Sequence, residues 1–169
     1  MNSQMQILLA LTTVLGSGVL AAFVAHKFAE RREEREFRRR KSEELFLAVH
    51  GYCITFVSRN MLWPRVMDGE MDYNKVLDIN AEDKAPTPGH YETMQMLINI
   101  YFPDLLPDFR AILAAREPIN DMKANFRNAY ERGTPTRQFS EPFSRALLKF
   151  EHLCDELKTK ICHHAQHKR

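Results

Sequence analysis

The sequence predicts an all-α protein: an N-terminal transmembrane helix continuing into a stalk, followed by a small antiparallel helical bundle. Three observations predict it. Residues 5–25 carry no charged side chain, residues 29–41 are dense in charge and contain neither Gly nor Pro, and from residue 42 onward apolar side chains recur every three or four positions. No segment with the alternating period of a strand competes. The chain of 169 residues suits one compact domain plus an appendage. The expected division is an anchor over 1–28, a basic helical stalk over 29–41 and a cytoplasmic bundle over 42–169.

In residues 5–25, MQILLALTTVLGSGVLAAFVA, the clearly polar side chains are Gln6, Thr12, Thr13 and Ser17. A helix rises about 1.5 Å per residue, so about 20 such residues cross a hydrocarbon core of about 30 Å. Hydroxyls can bond back to the helix backbone and do not forbid insertion. A cleaved signal peptide would place its basic residues before the apolar core. Here they follow it, as Lys27, Arg31, Arg32, Arg35, Arg38, Arg39, Arg40 and Lys41. Basic residues in that position hold the following segment inside the cell. The expected topology is therefore single-pass, with the N-terminus outside and the C-terminal domain in the cytoplasm.

The same eight basic residues are expected to contact membrane lipid, each contributing about 1 kcal/mol near an anionic surface. Glu34 stands four residues before Arg38, and Glu36 four before Arg40, so the stalk should carry ion pairs along its surface. The interleaved glutamates and a net charge of only +2 argue against a nucleic-acid partner. Within the span, Ser17, Ala21 and Ala25 recur every four residues beside Ala10, Gly18 and Ala22. Such stripes let membrane helices pack closely, so self-association is a candidate use.

In the bundle, Leu45, Val49, Tyr52, Phe56 and Met61 define one helix face, broadened by Ala48, Cys53 and Val57, and Trp63 and Pro64 should end that helix. A short helix is expected near residues 73–79, then a loop at Pro86, Pro88 and Gly89. Residues 91–102 place Met94, Leu97, Ile98 and Tyr101 together before Pro103. Residues 105–132 carry Phe109, Ile112, Leu113, Ile119, Met122, Phe126 and Tyr130 on one side, with Gly133 as a stop and Pro118 expected to kink or split the helix. Ser140 and Pro142 open the last helix. There Phe143, Phe150 and Leu157 form one seven-residue series and Leu147, Cys154 and Ile161 another, a short coiled-coil-like seam.

Chemistry is harder to find. Glu-x-x-His, HExxH, GxSxG and phosphate-binding glycine loops are absent from the sequence, so neither an enzyme nor a cofactor is expected. Asp68, Glu70 and Asp72 resemble the start of a calcium loop, but Tyr73 and Ile79 stand where its glycine and closing glutamate belong. His163 and His167, one turn apart beside Cys162 and His164, are the nearest approach to a metal site; a structural zinc site needs four ligands on folded elements, so a polar tail is the expected reading. His50 and His90 have no neighbouring nucleophile in sequence. YFPDLLP, residues 101–107, is a sharply punctuated apolar turn expected to form a hydrophobic interhelix corner, with exposure of Phe102 or Leu105 to a partner as the alternative. The three cysteines lack CxxC spacing and read as reduced thiols, with Cys53 and Cys154 in apolar helical patterns.

An apolar N-terminal span, the collar RREEREFRRRK, the ELF opening the first bundle helix and the YFPDL before the next together resemble a loose group of bacterial single-span inner-membrane proteins with a helical cytoplasmic domain. The resemblance covers most of the chain and implies location and architecture, with no activity attached. The functional expectation is a membrane-anchored, non-enzymatic interaction or scaffold protein with a protein partner or self-association. The alternative is an oligomerising membrane effector of the stress or phage-defence type, with a membrane-side enzyme behind both.

Overall fold

The structure is a computed structural model that describes the backbone of residues 3–82 and 89–167, and the side chains of 22–82 and 89–166. It is all-α among the described residues. Six helices follow in order: α1 (Ser3–Asn60), α2 (Trp63–Met67), α3 (Tyr73–Glu82), α4 (His90–Tyr101), α5 (Leu106–Glu131) and α6 (Ser140–His167), with short 3-10 turns at Pro103–Leu105 and Arg137–Phe139. The chain falls into two units, Met1–Arg40 and Lys41–Arg169.

In the second unit α5 runs antiparallel to α6, and α1 runs antiparallel to α4 and parallel to α5. At one end of the α5–α6 pair Lys160 Nζ meets Asp108 Oδ1 at 2.7 Å; at the other the rings of Phe126 and Phe139 meet edge to face. Lys41 of α1 lies over the Tyr101 ring at the far end of α4, while Tyr52 approaches Tyr91 at its start. The core is continuous. Leu45, Ala48, Val49 and Cys53 of α1 meet Met94, Leu97 and Ile98 of α4, Phe109, Ile112, Ile119 and Phe126 of α5, and the whole seam Phe143, Leu147, Phe150, Cys154, Leu157 and Ile161 of α6. That seam is therefore used within the chain. Phe150 is its centre, its ring tilted against Phe56 at 4.3 Å between centroids and against Tyr52 at 6.1 Å.

Local chemistry sets the ends. Helix α1 stops at Asn60, three residues before Trp63, because Asn60 turns its side-chain amide back onto the Phe56 carbonyl at 2.7 Å. Trp63 and Pro64 instead open α2, where the first turn lacks an amide partner and tolerates proline. Asp72 Oδ1 accepts the backbone N–H groups of Asn74 and Lys75 and so caps α3. After α5, Gly133 takes the left-handed conformation at φ 65°, and Thr134 N–H donates to the Ala129 carbonyl at 3.0 Å, closing the helix.

Several expectations need correction. Met61 is 58% exposed, because the helix has already ended and the chain turns there. Tyr101 and Tyr130 face partly outward, with Lys41 over the Tyr101 ring and Tyr73 stacked on that of Tyr130. Pro118 does not split α5, which runs from Leu106 to Glu131. The proline and Ala114, whose carbonyl it deprives of a partner, are both exposed, so the lost bond falls on the solvent-facing side of the helix. Pro86 and Pro88 lie outside the described residues.

Candidate functional site

The collar is continuous helix within α1, and its charges pair along the surface. Lys27 meets Glu30 at 2.8 Å, Arg38 meets Glu34 at 2.9 Å and Lys41 meets Glu44 at 2.7 Å. Glu36 pairs with Arg32 at 2.9 Å rather than with Arg40, one turn further on. The Arg32 guanidinium holds the Glu36 carboxyl below its usual range. Arg35 donates to the Arg31 carbonyl at 3.1 Å. Eight basic residues against the four glutamates of 27–41 leave a net positive helix.

By length and composition the helical stretch Ala22–Met67 is apolar enough to cross a membrane. Charges crowd residues 27–44, so its apolar part is residues 45–62, and Leu45, Val49 and Cys53 there are buried in the bundle. The charge-free stretch 5–25 is a separate one, read from the sequence. Ala22 and Ala25 are exposed on it, as are Phe23 and Val24; the side chains of Ala10, Ser17, Gly18 and Ala21 lie outside the described residues.

The isolated polar residues have local partners. Asp68 accepts Ser140 Oγ at 2.8 Å, tying the end of α2 to the start of α6, and Arg137 approaches it at 3.8 Å. Glu70 stands 3.6 Å from Arg65, and Asp72 is the α3 cap. Among the described residues no three His, Cys, Asp or Glu side chains gather as metal ligands would. His163 is exposed on α6, His167 has no described side chain, and His164 packs edge-on against Phe102. His50 stacks on Phe46 within α1 and Glu92 is exposed in the first turn of α4. In 101–107, Phe102 and Leu105 are both buried, at 7% and 2% exposure, which makes the segment an interhelix corner.

Cys53 and Cys154 are buried and Cys162 exposed. The Cys53 thiol interacts with Cys154 across α1 and α6, and that contact, reinforced by burial, pushes the Cys154 thiol far up. A thiol so held stays protonated and unreactive.

Sequence reasoning missed a cluster on α5. Arg116 carries its guanidinium over the rings of Tyr52 and Phe56, 5.8 and 5.6 Å from their centroids. Two turns on, Lys123 Nζ lies 4.8 Å from the centre of the Trp63 ring and donates to Asn60 Oδ1 at 3.2 Å. Burial pulls the Lys123 pKa down and pushes the Tyr52 hydroxyl up, the nearby Arg116 opposing that rise. Even so, Tyr52 Oη and Arg116 Nε complete no hydrogen bond of acceptable geometry, and Trp63 Nε1 has no protein acceptor. The available signal was the seven-residue interval placing two cations on one face of α5. It was overlooked because the apolar stripe of that helix dominates its pattern.

No family model matches the chain. No match was found among curated proteins or solved structures.

Proposed function

We propose that the chain is a single-span membrane protein whose helical bundle serves as a non-enzymatic interaction or scaffold module on the cytoplasmic side. The observation that carries this reading is the charge-free run 5–25 followed, in the same helix α1, by a collar with twice as many basic as acidic residues. Basic residues after the span favour a cytoplasmic collar and an outside N-terminus. They also favour contact with anionic headgroups through Lys27, Arg31, Arg32, Arg35, Arg38, Arg39, Arg40 and Lys41. The inner membrane of a bacterium is part of this proposal and rests on the sequence pattern of residues 5–41. Anchoring raises the effective concentration of the bundle near any partner in the same membrane.

A second reading, an oligomerising membrane effector, draws on the small-residue stripe, of which Ala22 and Ala25 are exposed. In-cell crosslinking of the tagged chain, followed by mass spectrometry, separates the two. A distinct protein captured only when residues 5–25 are intact supports the interaction module. Capture of self-oligomers alone, lost when Gly18 or Ala21 is replaced by Leu, supports the effector.

A further inference from the structure

The Arg116 and Lys123 cluster is built almost entirely of donors and cations. Their Cα atoms lie seven residues apart, two helical turns or about 10.5 Å along α5. Around them stand the Tyr52 hydroxyl, Arg116 Nε and the indole N–H of Trp63, each buried and without a protein acceptor. Of the acceptors beside the pair, Asn60 Oδ1 is taken by Lys123, and the Tyr52 oxygen faces the Arg116 guanidinium. Arg32, Arg38, Arg127 and Lys160 meet carboxylates. Arg116 and Lys123 form no ion pair with a carboxylate among the described residues, although both are half-buried and so remain open to solvent on one side.

Aromatic faces stabilise each cation in part, yet a ring supplies no acceptor lone pair for the N–H groups. A group bearing several anionic oxygens would. An Arg fork beside a Lys point charge suits phosphate, which offers enough acceptors for both at once. We propose that the α1–α5 seam binds a phosphate-bearing ligand, held by Arg116 and Lys123 with Tyr52 and Trp63 as neutral donors. The proposal stands apart from the membrane reading, because a free phosphate compound and a lipid headgroup share this chemistry.

Trp63 is the single tryptophan of the chain, so its emission reports from the site itself. The test titrates the full-length chain in an uncharged detergent with inorganic pyrophosphate, at ionic strength matched with chloride. A parallel arm compares phosphatidylcholine nanodiscs with and without phosphatidic acid. The expected result is a saturable change in Trp63 emission, with affinity reduced roughly tenfold or more by Arg116→Gln or Lys123→Gln. Arg145→Gln, on the exposed face of α6, should bind as the wild type does. Saturation by pyrophosphate identifies a soluble ligand class; saturation by phosphatidic acid alone identifies a headgroup. If the folded wild type saturates with neither, or if Arg145→Gln weakens binding as much as the two site variants, the proposal fails, and Arg116 and Lys123 only cover aromatic surface.

Discussion

The imidazole of His90, at the start of α4, rests on the backbone of α1 at Gly51, where an added Cβ would stand 2.7 Å from His90 Cε1. Glycine inside a helix normally costs about 1 kcal/mol relative to alanine. At this position it makes room for the ring that brings α4 against α1. Gly51→Ala alone should therefore fail to deliver that gain, whereas in a His90→Ala background it should stabilise the bundle by about 1 kcal/mol. Chemical denaturation of the four proteins of this cycle measures the coupling.

Phe150 is fully buried between Tyr52 and Phe56, while Leu148, on the same helix, is largely exposed. Phe150→Ala should cost about 3–5 kcal/mol and Leu148→Ala no more than about 0.5 kcal/mol. Unfolding monitored by circular dichroism distinguishes them.

The α6 seam was legible in the sequence because a seven-residue apolar repeat has one burial solution, and every member of it is buried. The helical character of the collar was legible because its composition is uniform over many residues. Helix ends were less so. The stop at Asn60 depends on one side-chain amide reaching back to Phe56, and Trp63, read as a terminator, became a core residue opening the next helix. In the sequence Arg116 and Lys123 show only as two cations on one face of α5, and they gain meaning when α1 and α2 bring aromatic rings beneath them.

Pro118 sits in the middle of α5 on its exposed side. Pro118→Ala restores a backbone hydrogen bond but makes the unfolded chain more flexible. The balance should stabilise the protein by about 2 kcal/mol, read as a shift in the denaturation midpoint.

Burial lowers the pKa of Lys123 from the ordinary lysine value of 10.5. The unfolded chain thus holds this proton more tightly than the folded one. Below the folded pKa the full cost of burying the ammonium is present, and the Lys123 contribution to stability rises as pH climbs from the folded value to about 10.5. Trp63 emission should titrate with a midpoint below 10.5, and Lys123→Met should abolish that transition. A midpoint at the ordinary lysine value would contradict the burial of the amine.

If residues 5–25 span a membrane and leave the bundle inside the cell, Cys162 offers a direct test, because it is the exposed thiol of the folded domain. The measurement is labelling of the full-length chain with a membrane-impermeant maleimide in sealed cells and after lysis, with alkaline extraction of the membranes in parallel. The expected result is that the chain stays in the membrane pellet and that Cys162 is labelled only after lysis. Release of the chain by alkali, or labelling of Cys162 in sealed cells, would contradict the anchored topology.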